Sequence, residues 1–385
     1  MISRGVATFT LDEGRCPPWL FARMVVLARA MIDVIVDDVG SDEFVWRLSD
    51  PVWFQSLGTV LAFDWNASGL TTILTAALKE AIRGKERELG IFVCGGKGKT
   101  SRKTPDEIMM WSERASVAPD DARWLVYSSR MAAKVDSALV QDGYQIYHHA
   151  FVFSKNGSWS VVQQGMDVKS GTARRYHWHG SSVKDFIVEP HAGIVAQKTK
   201  QQTLNLTARE GDVNRATSVD LAGSNFASLV RDLRLVDRHS SSLSNMVRAK
   251  SVDGERQLTL LALSHNEFAH HSVERESFSR SKYLQKILYL LGERKPKTYE
   301  QLVATPGVGP KTVRALALVA EVLYGAPASF RDPARYSFAH GGKDATPYPV
   351  DRATYDSTIA AFKKYVRCAE LKTTQRQDVL RRIEK

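Results

Sequence analysis

A glycine-rich turn between two helical patterns constrains this 385-residue chain more than any other stretch. Residues 305–312 read Thr-Pro-Gly-Val-Gly-Pro-Lys-Thr, and apolar residues recur at helical spacing before them, at 283–291, and after them, at 313–324. Glycine lets the backbone turn tightly and approach another chain closely. The helix after the turn therefore directs its free N–H groups and the positive end of its dipole outward, where a phosphate could bind. The pattern predicts two helices joined by an anion-binding turn.

The turn resembles the helix-hairpin-helix motif, which binds the DNA backbone independently of base sequence. The resemblance implies that DNA, double- or single-stranded, is the partner of this chain. It assigns the contacts to the following residues of the turn: Gly307, Val308, Gly309, Lys311 and Thr312. The alternative interpretation is a connection between helices that binds nothing.

The charge balance of the chain also favours a polyanionic partner. Lysines and arginines number 53 against 42 aspartates and glutamates, which gives a formal net charge of +11. Nucleic acid is the commonest polyanion. The three cysteines lie far apart, at positions 16, 94 and 368, which excludes a disulfide framework and a Cys-x-x-Cys metal site. We expect a reducing, cytoplasmic compartment, and no apolar run reaches the length of a membrane span.

The fold class predicted from the sequence is α+β. Residues 1–196 mix helical patterns with strand-like runs at 144–153 and 159–165, and a Lys-Asn-Gly-Ser turn joins these two runs into a hairpin. We expect this region to form a mixed domain with a small antiparallel sheet. Residues 197–218 are polar and predict a linker. Residues 219–385 are mainly helical and predict an all-helical helix-hairpin-helix domain that binds DNA.

Polar side chains of the first domain are candidates for catalysis. Within a helix predicted at 120–142, Arg130 and Lys134 share one face and could neutralise charge that develops on phosphate oxygens. Asp136, on the same helix, is a candidate general base, although a helix carboxylate can equally be structural. The remaining candidates lie on the hairpin strands and are His148, Gln163 and Gln164.

The distribution of histidines suggests a metal site in the same domain. Five of the ten histidines fall within 148–191, and the His-x-His pattern at 177–179 points two side chains toward one face of a strand. Together with an extended piece that follows, they could hold a divalent metal, magnesium or manganese, that activates water for phosphodiester hydrolysis. The candidate ligands are His177, His179, Glu189 and His191. The alternative is that these are ordinary surface or core residues.

A second glycine-rich stretch follows the strand predicted at 90–94. Residues 98–100, Gly-Lys-Thr, match the end of a Walker A loop, but Val93 stands where its first glycine is required. No apolar helix follows either, so the sequence excludes a nucleotide-hydrolysing P-loop. The flexible, basic loop could still hold a phosphate of a nucleic acid backbone.

Several short stretches along the chain share a resemblance to one family. They include Trp-Leu-Phe at 19–21, Phe-Asp-Trp at 63–65, Gly-Gly-Lys-Gly at 95–98, Val-Val-Gln-Gln-Gly-Met at 161–166 and Phe-Ala-His-Gly-Gly-Lys-Asp at 338–344. Together they resemble the domain-of-unknown-function family seven-six-three. The resemblance covers nearly the whole chain and implies that its two halves belong to one architecture. It carries no activity.

The C-terminal part is similar to the helix-hairpin-helix DNA glycosylases. The glycine turn is followed later by Pro-Val-Asp at 349–351. In that family the carboxylate of such a Val-Asp is catalytic, and a lysine after the hairpin glycines is the nucleophile of bifunctional members. The resemblance therefore implies a catalytic pair of Lys311 and Asp351. The connection between them is far longer than in the family, its four-cysteine iron–sulfur loop is absent, and Asp351 could instead cap a helix.

These observations predict a DNA-binding protein. The leading hypothesis for its activity is a metal-dependent nuclease that acts in DNA processing or repair. Two alternatives stay open: a DNA glycosylase or abasic-site lyase that uses Lys311 and Asp351, and a non-catalytic DNA-binding protein whose histidines are structural. The strandedness of the substrate and the oligomeric state also stay open.

Overall fold

A five-stranded antiparallel sheet with the strand order β1-β3-β4-β5-β6 lies at the centre of the protein. A computed structural model describes residues 16–61, 67–197, 199–200, 203–240, 248–250, 257–259, 278–334, 352–369 and 371–384. The strands of the main sheet are β1 (Ile91–Lys97), β3 (Gln145–Ser154), β4 (Trp159–Asp167), β5 (Thr172–His179) and β6 (Gly193–Ala196). Two smaller pairs are β2 (Val140–Gln141) with β7 (Leu204–Asn205), and β8 (Arg248–Lys250) with β9 (Gln257–Thr259).

Helices cover both faces of the main sheet. On one face lie α1 (Pro18–Ser49, broken at Gly40), α2 (Pro51–Val60), α3 (Ala67–Ala81) and α4 (Glu86–Leu89), with the C-terminal α12 (Arg352–Cys368) and α13 (Thr373–Glu384) packed against α1 and α2. On the other face lie α5 (Thr104–Arg114) and α6 (Pro119–Ala138). Beyond α6 follow α7 (Asp212–Gly223), α8 (Phe226–Ser240), α9 (Lys282–Arg294), α10 (Tyr299–Ala304) and α11 (Pro310–Tyr324). The α+β architecture with a small antiparallel sheet and a helical C-terminal region is confirmed.

Alternation along the strands separates the two large hydrophobic clusters of the described residues. Phe151 and Val161 face α5 and α6, whereas their neighbours Val152 and Val162 face α1 to α3. The core on the α6 side continues into the helices α7 to α11 through residues such as Leu316. The hydrophobic core thus extends across the segment predicted as a linker.

The described part of that segment, 197–218, is structured. It contains β7, the 3-10 turn Arg209–Gly211 and the first half of α7. The N–H of Leu206 donates to Leu139 O (2.9 Å), and the buried Arg215 donates to the carbonyls of Leu206 (2.8 Å) and Ala208 (2.6 Å). Polar residues of this segment make buried hydrogen bonds inside the protein. Composition alone does not reveal such bonds, and the polar composition therefore predicted a solvent-exposed linker.

The helix predicted at 120–142 ends at Ala138. Val140 and Gln141 pair with β7, and the carboxylate of Asp142 turns inward to accept a hydrogen bond from Arg174 (2.9 Å). Arg174 also bonds both carboxylate oxygens of Asp332 (2.8 and 2.7 Å). Burial raises the pKa of Asp142, and the positive charge of Arg174 opposes this shift. A fully buried guanidinium thus ties the sheet to the segment after α11.

Among the described helices, we find none that combines the length and the apolar character that crossing a membrane requires.

Replacing Arg174 with methionine should lower the free energy of unfolding by about 3–5 kcal/mol, because two buried carboxylates then lose their cation. Urea denaturation measures the change. The control is Arg123→Met, which removes an ion pair to Asp120 whose two side chains are 65% and 90% exposed. That variant should unfold almost as the wild type does, and equal destabilisation by the two substitutions would contradict this role of Arg174.

Candidate functional site

The turn between α10 and α11 is a tight hairpin. Gly307 has φ +87°, and a Cβ at this position would lie 2.4 Å from Ile287 Cδ1, so the hairpin requires glycine here. Val308 is buried, and its N–H donates to Thr305 O (3.2 Å). Gly309 is the N-cap of α11, and within the described residues no side chain caps this helix end.

Three side chains fix the carbonyl groups of the hairpin to the rest of the protein. Tyr283 Oη donates to Gly307 O (3.0 Å), Lys134 Nζ donates to Thr305 O (2.8 Å), and Gln141 Nε2 donates to Pro310 O (2.9 Å). Burial lowers the pKa of Lys134. Lys134 therefore holds the hairpin in place, instead of facing a phosphate beside Arg130 as we predicted from their spacing.

Basic side chains lie on the elements that contact this hairpin, near the residues that bond it. Lys282 and Lys286 are exposed on α9, on either side of Tyr283. Lys311 is half-buried in the first turn of α11, with its Nζ 5.9 Å from the centre of the Phe278 ring. Arg130 is exposed on α6, one turn before Lys134. Of the predicted contact residues, Thr312 is buried.

On the α6 face of the sheet, a chain of buried hydrogen bonds ends at Asp136. With a neutral His149, Ser129 donates to His149 Nε2 (2.8 Å), and His149 Nδ1 donates to Gln163 Oε1 (2.9 Å). Gln163 Nε2 donates to Asp136 Oδ2. Burial lowers the pKa of His149, which keeps the ring neutral. Asp136 and Gln163, both predicted as catalytic, thus lie in one network.

The same carboxylate of Asp136 reaches a cavity through His191. Trp178 Nε1 donates to Asp136 Oδ2 (3.0 Å), and His191 Nε2 bonds Asp136 Oδ1. The His191 side chain is 7% exposed and lines a cavity of about 500 Å³, together with Glu189, Lys200 and other residues. A histidine held by a buried carboxylate is the arrangement of a general base, so this dyad can accept a proton from a bound molecule.

The opposite face of the sheet carries a second polar row. Lys97, His148, Gln164 and Arg175 are direct neighbours across β1, β3, β4 and β5. His148 Nε2 bonds Thr75 Oγ1 (3.1 Å), and Gln164 Nε2 donates to Ser68 O (2.8 Å) and to Tyr147 Oη (2.5 Å). Arg175 donates to Thr71 Oγ1 (3.3 Å) and to Gln55 Oε1 (3.1 Å). His148 and Gln164 therefore belong to a different site from Asp136 and Gln163.

Burial shifts the titration of this row. It lowers the pKa of His148 to about 3, with further lowering by His149 and Lys97. It also lowers the pKa of Arg175 to about 9. At neutral pH His148 is uncharged, so it can accept or donate a hydrogen bond but does not bring a positive charge to this site.

The four predicted metal ligands do not meet. His177 packs edge-on against Phe54 (5.4 Å between ring centres), and its Nδ1 donates to Leu48 O (3.3 Å), on the face opposite to α6. His191 lies on the α6 face. His179 Nδ1 accepts a hydrogen bond from the N–H of Ser181 (3.2 Å).

The fourth predicted ligand, Glu189, has φ +47°, so the piece from 186 to 191 is bent and not an extended strand. The bend turns its carboxylate toward Arg209 (3.9 Å). Within the described residues, no group of three or more His, Cys, Asp and Glu side chains could hold a metal ion. The predicted metal site is therefore wrong in its ligand set.

Of the catalytic pair implied by the glycosylase resemblance, only Lys311 can be placed. Asp351 lies outside the described residues. Lys311 is in the first turn of α11, at the hairpin.

Sequence reasoning missed several members of the two polar sites: Ser129, His149 and Trp178 on one face, and Thr75, Lys97, Tyr147 and Arg175 on the other. Adjacent strand residues point to opposite faces, so this alternation alone separates Gln163 from Gln164. The partner of each residue depends on strand register and on which helix covers which face, and neither is visible along the chain.

The stability of the protein should fall as the pH falls below 6.5, the ordinary pKa of histidine. The unfolded chain then binds a proton at residue 148, whereas the folded protein does so only near pH 3. One such group lowers the free energy of unfolding by about 1.4 kcal/mol for each pH unit. His148→Gln should reduce the slope of unfolding free energy against pH, between pH 6 and 4, by about this amount.

Denaturation at a series of pH values measures these slopes. The control variant Thr75→Val removes the hydrogen bond to His148 but no titrating group, so it should keep the wild-type slope. A slope that His148→Gln leaves unchanged would contradict the buried, neutral state of this histidine.

Comparison with known proteins identifies the family and gives no activity. Neither the curated proteins nor the solved structures include a significant match to this chain. One family model does match, over residues 5–350, and its description is "Protein of unknown function (DUF763)". This match covers the sheet, both polar sites and the hairpin. The chain belongs to the DUF763 family of proteins of unknown function.

Proposed function

We propose that this protein binds the DNA backbone through the hairpin at 305–312. The observation that supports this best is the exposed turn of Pro306, Gly307 and Pro310, which leads into a helix end that no described side chain caps. Such a helix end offers backbone N–H groups and a positive dipole to a phosphate. The resemblance to the helix-hairpin-helix motif points to the same partner.

The surrounding charges support the same function. Lys282, Lys286, Lys311 and Arg130 add positive charge around the turn, and each lysine or arginine that contacts a phosphate releases condensed counterions from DNA. The carbonyls of the turn are bonded to Lys134, Gln141 and Tyr283. The hairpin is therefore held in one geometry before any ligand binds, which reduces the entropy lost on binding.

The variant Lys286→Gln/Lys311→Gln should weaken DNA binding and make it less dependent on salt. The logarithm of the affinity for duplex DNA, plotted against the logarithm of the salt concentration, should become shallower by roughly 1 for each lost phosphate contact. Fluorescence anisotropy with a labelled duplex and a labelled single strand measures both slopes.

A control with the same loss of charge separates the hairpin from general electrostatics. Lys155 and Lys184 are exposed near the other end of the sheet, after β3 and β5. Lys155→Gln/Lys184→Gln should keep the affinity and the slope close to those of the wild type. If both double variants lost the same affinity, DNA would bind by net charge alone, and the proposal for the hairpin would fail.

The Asp136–His191 dyad favours a second function, hydrolysis of a phosphodiester of the bound strand. His191 lines a cavity, and its partner carboxylate is completely buried, so this histidine can deprotonate an attacking water. We therefore propose a nuclease acting in DNA processing, with His191 as its base.

His191→Gln should reduce DNA cleavage by about a hundredfold or more without changing DNA binding. The assay follows labelled single-stranded and duplex DNA with magnesium, manganese or a chelator. His179→Gln is the control, because His179 lies on the same strand β5 as Trp178 but bonds Ser181, away from Asp136. Absence of cleavage by the wild type under every condition would refute the nuclease proposal and leave that for the hairpin intact.

A further inference from the structure

A cavity near the polar row of Lys97, His148, Gln164 and Arg175 has no part in the functions proposed above. It has a volume of about 900 Å³ and lies between α3 and the glycine-rich end of β1. Helix α3 contacts the sheet on the face opposite to α6, whereas the hairpin is bonded to α6 through Lys134. The cavity and the hairpin are therefore separate sites, and the volume falls in the range of pockets for small organic ligands.

The charges at the cavity favour an anion. Lys79 and Arg83 line it, but each has an internal partner, Glu107 (2.6 Å) and Glu80 (2.7 Å) respectively. Lys97 is exposed at the cavity and extends along the ring of Tyr147, with its Nζ 5.8 Å from the ring centre. The 3-10 turn that follows, Gly98–Lys103, adds three more basic residues. Lys97 is therefore the cation of the lining that is best placed to meet a ligand.

The backbone just before Lys97 is tightly packed at the cavity. Gly95 and Gly96 have φ +84° and +141°, and a Cβ on Gly95 would lie 2.3 Å from His149 O. The N–H of Gly95 already donates to Glu107 Oε2 (2.8 Å). The backbone here binds an internal carboxylate, so an external anion would bind further out, at Lys97.

The rest of the lining suits a flat organic group. Phe21, Ile73 and Tyr147 present apolar and aromatic surface, and Thr72 and Thr75 add hydroxyl groups. A simple inorganic anion would use none of this surface. An aromatic base can stack on an aromatic side chain, and this contact tolerates any base because every base has a π-face.

Polar atoms lie directly behind this wall. His148 Nδ1 and Gln164 Oε1 are buried and have no hydrogen-bond partner among the described residues. Through their other polar atoms, these side chains bond Thr75 and Ser68, which both line the cavity. Buried polar atoms usually have a partner in the protein, in water or in a ligand. These two atoms lie behind Thr75 and Ser68, so a ligand in the cavity would meet those lining residues first.

We propose that this cavity binds a nucleoside phosphate, with the phosphate at Lys97 and the base against Tyr147. The ligand is either a free nucleotide or the phosphorylated end of a nucleic acid strand. The proposal does not depend on the hairpin, because it rests on residues of the opposite sheet face.

Isothermal titration calorimetry tests the proposal with adenosine 5′-monophosphate and thymidine 5′-monophosphate, and with the nucleosides and inorganic phosphate as comparisons. Both monophosphates should bind the wild-type protein more tightly than either component alone. Lys97→Gln should weaken this binding about tenfold, because a charge-assisted contact is lost. The matched control Lys99→Gln, with the same charge change two residues further on, should stay within about twofold of the wild type.

A second variant tests the cavity by volume and not by charge. Ala76 is exposed on α3 and lines the cavity, so Ala76→Phe should block the ligand while the helix stays intact. The thermal unfolding of each variant confirms that it is folded. The proposal is overturned if neither monophosphate binds at millimolar concentration, if Lys97→Gln and Lys99→Gln have equal effects, or if inorganic phosphate binds as tightly as the nucleotides.

The variant Lys286→Gln/Lys311→Gln weakens contacts of an oligonucleotide at the hairpin. In this variant, binding at the cavity distinguishes a free nucleotide from the phosphorylated end of a strand. Tighter binding of a 5′-phosphorylated oligonucleotide than of the monophosphate identifies a strand end. Tighter binding of the monophosphate identifies a free nucleotide.

Discussion

The structure depends on hydrogen bonds that satisfy polar side chains in the middle of a sheet covered on both faces. His148, His149, Gln163, Gln164 and Arg175 are all buried on three neighbouring strands. Burial shields them from bulk water, and an unsatisfied buried polar group destabilises a fold by about 1–3 kcal/mol. Helix α6 supplies Ser129 and Asp136 on one face, and helix α3 supplies Ser68, Thr71 and Thr75 on the other. The sheet therefore requires these two helices for its buried hydrogen bonds, and the helices pack in the positions that supply them.

Helix α6 also connects the sheet to the hairpin. One side of this helix carries Asp136 toward the strands, and another carries Lys134 to the carbonyl of Thr305. The hairpin proposed to bind phosphate is thus attached to the same helix that holds the candidate base His191 through Asp136. The proposed nuclease binds a DNA strand at the hairpin and cleaves it at His191. The cavity beside α3 lies on the opposite face of the sheet.

Local patterns of the sequence predicted much of the fold. The turn at 155–158 and the alternation of the flanking strands gave the central hairpin, and the two glycines at 307 and 309 gave the α10–α11 turn. The predicted site failed where it needed distances between strands and helices. The spacing of His177 and His191 is compatible with one site, but their hydrogen-bond partners, Leu48 and Asp136, lie on opposite faces of the sheet. Similarly, Lys134 shares a helix face with Arg130, and only the packing of α10 shows that it binds a carbonyl.

The central claim is that the first turn of α11 binds the DNA backbone. Hydrogen–deuterium exchange of the whole chain, with and without a short duplex, tests it most directly, because phosphate binding must protect the N–H groups that bind it. The account predicts slower exchange at 306–314 in the presence of DNA, with little change at the far end of the sheet around Lys155. Protection elsewhere, with exchange of the hairpin unchanged by bound DNA, would contradict it.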